Sequence, residues 1–202
     1  DYAVINPHNI RFIGYGHPDG RRTYIRSLCF VLQKVIREMY PEKVLVIDYS
    51  LPSGLYCEIR ETACMEDGRP RPYFATDEEL EQISARMREI IDADTPFKRR
   101  TLAAAEAEEI FSRNNQTEKV NLLRTTGHFT YEVYFLDDMA DTFYWPLTTS
   151  AGVLSTFNIM GFNDGFCLQY PMDGDAGRVL PMKRQSKIAT ALKEHSDWCS
   201  IM

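Results

Sequence analysis

The stretch Asp19-Gly20-Arg21-Arg22-Thr23-Tyr24-Ile25-Arg26-Ser27-Leu28-Cys29-Phe30 opens an amphipathic pattern that runs to Met39. From Thr23 onward the apolar residues Ile25, Leu28, Leu32, Val35, Ile36 and Met39 recur at intervals of three and four, the spacing of one helix face. Asp19-Gly20 reads as a turn and the helix entry. Pro41 ends the helix, because the residue before a proline is pushed out of the α region. A second stretch, far along the chain, is Phe143-Tyr144-Trp145-Pro146-Leu147, followed by Thr148-Thr149-Ser150-Ala151-Gly152.

Between and beyond these stretches the periodicity alternates between strand and helix. Residues 44–47 and 55–59 read as a strand pair around Pro52-Ser53-Gly54. Residues 62–75 are a polar excursion with Gly68, Pro70 and Pro72, a hairpin tip or loop. Thr76 with Glu79 three residues on forms a capping box, predicting a helix to about residue 93, stopped by Pro96. A short strand over 98–102, a helix over 103–111 and a polar loop over 112–118 follow. Residues 120–136 alternate around Gly127 as a hairpin, and 157–170 form another that turns at Asn163-Asp164-Gly165. A last helix is predicted over 182–198, with Ile188, Leu192 and Trp198 on one side. Upstream, Ile10, Phe12 and Tyr15 alternate like a strand. The expected fold class is α+β, a mainly antiparallel sheet packed with helices.

An apolar content of 44% and a charged content of 26% are ordinary for a soluble globular protein. A length of 202 residues holds one well-packed domain, or one domain and an accessory piece. The net charge of −6 argues against bulk nucleic-acid binding and leaves a local basic face open. No apolar run is long enough to span a bilayer and no signal-peptide pattern occurs, so no membrane partner is expected. The cysteines at 29, 57, 64, 167 and 199 are odd in number and lack a CxxC pair, which suits reduced thiols in a cytoplasm. The chain begins at Asp1, and its last helical pattern runs nearly to Met202, so both ends read as cut from something longer.

Several further segments fall in a fixed order. They are Gly54-Leu55-Tyr56-Cys57-Glu58-Ile59, then Thr76-Asp77-Glu78-Glu79-Leu80 leading into 83–91, then Asp94-Thr95-Pro96-Phe97-Lys98-Arg99-Arg100. The helix over 103–111, Ala140-Asp141 and Ser155-Thr156-Phe157-Asn158-Ile159 complete the series. Together with the two quoted stretches, this order resembles the editing (second additional) domain of threonyl-tRNA synthetases, shared with alanyl-tRNA synthetases. Order and spacing over about 150 residues make the likeness more specific than a lone motif. That family carries His-x-x-x-His on the helix and Cys-x-x-x-His before a Pro-Ser-Thr-Gly-like turn, the ligands of a hydrolytic zinc. The resemblance carries these positions onto Arg26, Phe30, Phe143 and Leu147. Phenylalanine and leucine have no lone pair for zinc and arginine stays cationic, so the zinc ligands are expected to be lost and no catalytic residue or metal is assigned.

Residues 19–28 also resemble the variant of this domain in bacterial uridine-kinase-like (nucleoside kinase) proteins. There a synthetase-like region precedes a phosphate-binding-loop kinase domain. The resemblance implies that residues 1–18 are the tail of a small ubiquitin-like domain or a linker. It implies that 19–180 are the editing-like domain, and that 181–202 form a helix leading to a kinase domain beyond Met202. No G-x-x-x-x-G-K-[ST] occurs in the chain. No cofactor is therefore expected in this fragment, and ATP and magnesium are expected only for the parent kinase domain.

Three readings of Arg26, Phe30, Phe143 and Leu147 stand side by side. One is packed core. The second is a retained cleft for a nucleoside or another planar ligand, in which Tyr144 and Trp145 stack, Arg26 binds an anion and Asp141 accepts from a ribose or amine. The third is a metal-independent hydrolase, which needs a base near an activated water; neither stretch holds a histidine. Arg21, Arg22 and Arg26 near a helix start suit phosphate or carboxylate, or else form a solvated basic turn paired with surface acids. Lys98-Arg99-Arg100 with Arg69 and Arg71 read as an RNA-backbone contact or as ordinary surface charge, and strand alternation sends Arg99 opposite to its neighbours. Asp137, Asp138 and Asp141 read as a divalent-cation cluster or a charged hairpin end, and Asp173-Gly174-Asp175 as a turn. His8, His17, His128 and His195 lack the spacing of a metal site. Asn115-Gln116-Thr117 fits a glycosylation acceptor without any sign of secretion, and Cys64 has no visible activating neighbour.

The leading expectation is a non-catalytic regulatory or ligand-binding domain of a cytoplasmic uridine or nucleoside kinase. Its partners would be the C-terminal kinase domain of the same chain and a nucleoside or tRNA ligand. The alternative is a zinc-independent aminoacyl-tRNA editing hydrolase or a tRNA-binding module.

Overall fold

The computed structural model describes residues 11–64, 70–114, 116–171 and 177–181. The expected helix over 182–198, Ile10, and the turn at Asp173-Gly174-Asp175 lie outside the described residues.

The first helix, α1 (Pro18–Met39), starts earlier than its apolar periodicity. His17 is its N-cap, with the Asp19 amide donating to the imidazole Nδ1 at 3.2 Å. Pro18 suits the first helical position, where no intrahelical donor is needed. Gly20 lies inside the helix rather than in a turn. Its lack of a side chain lets the Gly14 carbonyl approach, where a Cβ would collide with it. The expected strand through Phe12 and Tyr15 is absent: residues 11–17 are coil and turn. Tyr15 instead packs edge-on against Tyr24 at 5.0 Å and donates its hydroxyl to the Pro171 carbonyl.

Strands β1 (Lys43–Leu51) and β2 (Gly54–Cys64) pair antiparallel across Pro52-Ser53, as the sequence reading expects. Strand β3 (Pro70–Tyr73) returns alongside β2. Helix α2 (Asp77–Asp92) opens with the capping box intact, the Thr76 hydroxyl accepting from the Glu79 amide and the Glu79 carboxylate accepting from the Thr76 amide. Strand β4 (Lys98–Ala103) and helix α3 (Ala104–Arg113) follow. The expected hairpin over 120–136 is half wrong. Helix α4 (Thr117–Thr126) occupies its first arm, and only the second arm is a strand, β5 (Thr130–Leu136). Val120 and Leu123, three apart, bury against Ala107 and Phe111. The hydroxyls of Thr125 and Thr126 donate to the carbonyls of Asn121 and Leu122 one turn back. Tertiary burial thus outweighs the weak strand preference of these β-branched residues. Gly127, at φ 65°, caps the helix in the left-handed region rather than turning a hairpin.

Strand β6 (Met139–Thr142) pairs with β5 after a turn at Asp137. A short 3₁₀ turn, Ala151–Leu154, precedes β7 (Asn158–Phe162) and β8 (Gly165–Gln169), a hairpin turning at Asn163, φ 52°. One sheet has the order β1-β2-β8-β7, with β3 beside β2; the other is β4-β5-β6. All strand pairs are antiparallel, and the architecture is α+β.

Strand alternation divides the interior. On β5, Tyr134 and Leu136 join the main core with α1, α2, β2 and β8, whereas Val133 joins a second core under α3 and α4. The three-stranded sheet is therefore covered on both faces. Among the described residues no helix is long and apolar enough to cross a membrane.

Candidate functional site

The helix stretch and the 143–152 stretch meet. Arg26 Nη1 donates to the Pro146 carbonyl at 2.7 Å. Ser27 Oγ donates to the Thr23 carbonyl at 2.8 Å and accepts from the Thr148 amide at 2.9 Å. Phe30, with no exposed surface, lies edge-on to Phe143 at 5.1 Å and stacks with Phe97 at 5.9 Å. Leu147 is buried in the same core. The second stretch is held from its other side as well. Phe97 donates to the Thr149 carbonyl, Ala151 donates to the Thr95 carbonyl, and the Gly152 amide donates to Asp94 Oδ1.

Three further participants are not among the candidate site residues that the sequence points to. Tyr24 clamps the downstream loop, its hydroxyl donating to the Thr156 carbonyl at 2.8 Å and accepting from the Thr156 amide at 3.1 Å. Phe97 and Tyr134 complete the aromatic packing around Phe30 and Phe143. A tyrosine on the apolar face of a helix hints that its hydroxyl has a buried partner, but not which one.

The electrostatics are those of an interior. Burial lowers the Arg26 guanidinium from its ordinary value, partly offset by Tyr134 and Cys29. Burial pushes the Cys29 thiol up to about 12, with Arg26 pulling it back only in part. The side chains at Arg26, Phe30, Phe143 and Leu147 do not fit zinc, since none offers a neutral or anionic donor atom. Among the described residues, no group of three or more His, Cys, Asp or Glu is placed to hold a metal ion.

The remaining candidates do not converge on one cleft. Tyr144 and Trp145 are 90% and 69% exposed, so they stand on the surface beside the junction rather than inside it. Asp141 is not at the hairpin end with Asp137 and Asp138. It is buried in β6, on the strand face it shares with Met139, and ion-paired with Lys119 of α4 at 2.6 Å. Asp138 and Asp137 instead face Lys34, at 2.6 Å and 3.9 Å. Arg22 is exposed and pairs with Asp19, while Arg21 lies over the Tyr15 ring at 5.7 Å. Arg99 pairs with Glu132 and Arg100 with Glu106, each at 3.4 Å, so opposite partners divide that basic run. Arg71 is exposed on β3; Arg69 lies outside the described residues.

No family model matches the chain. It is 27% identical to the threonine–tRNA ligase of Pelobacter propionicus over 143 residues, which are 71% of this chain and 21% of that ligase. It is 25% identical to the threonine–tRNA ligase of Acetivibrio thermocellus over 160 residues, 79% of this chain and 24% of the ligase. The ligase of Desulforamulus reducens is 24% identical over 161 residues, again 79% and 24%. The chain thus spans about a fifth to a quarter of the length of these relatives. The similarity is a distant homology to threonine–tRNA ligases, and the α+β architecture accords with a synthetase-related domain.

Proposed function

We propose that this chain is a tRNA-synthetase-related accessory domain that binds tRNA without hydrolysing its ester. The observation that carries the reading is the junction of the two stretches. Phe30, Phe97 and Phe143 fill it, while Tyr144 and Trp145 stand exposed on the same loop. A hydrolase needs a base within hydrogen-bond reach of an activated water. The packed phenylalanine rings carry no group that could serve as that base. Exposed aromatics suit an unpaired nucleic-acid end by stacking, and Arg22, exposed one helical turn before the Arg26 that bonds this loop, suits a phosphate. The ligase relatives support a tRNA ligand over a free nucleoside.

A second reading places the domain before a nucleoside kinase domain beyond Met202, with ATP and magnesium bound there. The likeness of residues 19–28 to uridine-kinase-like proteins supports it, and the three relatives named above, all ligases, do not add to it.

Fluorescence anisotropy with threonine-specific tRNA tests the proposal. Trp145→Ala is expected to weaken binding roughly fivefold to a hundredfold, the range of one lost stacking contact. Arg22→Gln is expected to reduce the salt slope by about one. Absent binding, or binding that both substitutions leave unchanged, overturns the reading.

A further inference from the structure

One turn of α1 grips both flanks of a two-residue span. Phe30 packs edge-on against Phe143 at 5.1 Å, and Arg26, a turn earlier, donates from Nη1 to the Pro146 carbonyl at 2.7 Å. Ser27, fully buried, holds the chain just beyond through the Thr148 amide at 2.9 Å, and Leu147 between these bonds is buried. Between the grips lie Tyr144 and Trp145, the two most exposed side chains of the loop's apolar residues. Rings so exposed touch few neighbours, and packing therefore does little to fix where they point. Their direction is set by the backbone that carries them.

The grips differ in kind. Phe30 and Leu147 belong to the main core, with Phe143 packed against it, and they anchor the loop's base. The tip is another matter. Pro146 is exposed and has no N–H with which to bond elsewhere. Among the described residues, the hydrogen bond that fixes residues 144–146 is the one from Arg26. The bond is single, one donor of a five-donor fork. Arg26 is partly withdrawn from water, where such a bond is stronger than at the open surface. Arg22, a turn back, is exposed and pairs only with the exposed Asp19. The two arginines share a helix face and differ in use: one is tied to backbone, the other is open to a ligand.

We propose that Arg26 is a positioning residue: its bond to Pro146 latches the loop tip so that Tyr144 and Trp145 are presented for stacking, while its own charge makes no contact with the ligand. The purpose of the latch rests on the tRNA reading; the latch itself is measurable without any ligand. With the tip fixed beforehand, stacking does not have to order the loop, and that ordering cost is what the bond removes from binding.

The test uses the full chain carrying Trp198→Phe, which leaves Trp145 as its only tryptophan. Nanosecond anisotropy decay of Trp145, without ligand, reads the latch. Arg26→Met should enlarge the fast component of that decay, and Arg26→Lys, which still donates one bond, should restore most of the native decay. If Arg26→Met does not fold, Arg26→Gln, neutral and shorter, takes its place in every readout. With threonine-specific tRNA, Arg26→Met should weaken binding about tenfold, the effect of one lost hydrogen bond to a charged group. It should leave the salt slope unchanged, in contrast to the fall of about one expected for Arg22→Gln. In a Trp145→Ala chain the same substitution should weaken binding much less, because Arg26 acts through the ring it presents. An unchanged Trp145 decay overturns the proposal. So does a salt slope lowered by Arg26→Met, which would make Arg26 a phosphate contact. A loosened Trp145 in a protein whose unsubstituted form binds no tRNA overturns the tRNA reading, and with it the purpose of the latch, while the latch itself stands.

Discussion

Phe30 is the side chain on which the junction of the two stretches packs, fully buried between Phe97 and Phe143. Phe30→Ala should destabilise the fold by about 3–5 kcal/mol, the cost of a large buried ring, read from the denaturant midpoint. A second residue-scale prediction concerns Lys34, whose side chain is 4% exposed and bridges Glu38 at 2.7 Å and Asp138 at 2.6 Å. Burial alone would raise the Glu38 carboxyl, but hydrogen bonds from Lys34 and Arg86 outweigh it and hold it low. The Lys34 hydrogen bond likewise lowers Asp138. A depressed carboxyl stabilises the fold above its unfolded pKa, near 4, and that contribution is lost as pH falls through the folded value. Urea midpoints of the native protein should therefore drop as pH falls below about 4, and Lys34→Met should flatten that drop. At this scale the sequence showed which residue types sit at the junction, but not which are buried. The partner of Asp141 is Lys119, on a helix that the pattern did not reveal, and the exposure of Tyr144 and Trp145 depends on a loop path that no periodicity encodes.

Elements whose signals agree with one another were the readable ones. In α2 a capping box, an apolar stripe and a following proline all point the same way, and the helix lies where they place it. The hairpin at Asn163 is equally plain, because a two-residue loop needs a residue tolerant of positive φ. Helix α4 failed because its local signals conflict. Val120, Thr125 and Thr126 favour a strand, Gly127 suits either a turn or a helix cap, and burial against Phe111 decides. The same glycine gives a direct check. Nothing crowds a Cβ at Gly127, so Gly127→Ala meets only the cost of its left-handed backbone. It should lower stability by about 1 kcal/mol in a chemical denaturation curve. A neutral effect would mean that α4 does not end in this cap.

Among the described residues two cores share the three-stranded sheet and a third, small cluster gathers around Tyr56 on the other sheet; α1 packs into the largest core and borders the 143–152 loop. A net charge of −6 makes any binding to a polyanion depend on such local features rather than on the overall field. The α+β class was readable because most elements declare their own period. The division into two cores was not, since it depends on α4 and on which face of β5 each side chain takes. The most direct measurement is to incubate the purified chain with mischarged threonine-specific tRNA, with and without added zinc, and to follow binding and ester cleavage in the same samples. A domain with Phe30 and Phe143 at its heart should retain the tRNA while the aminoacyl ester decays at the protein-free rate in both conditions. Ester release above that rate, in either condition, would contradict the non-hydrolytic reading.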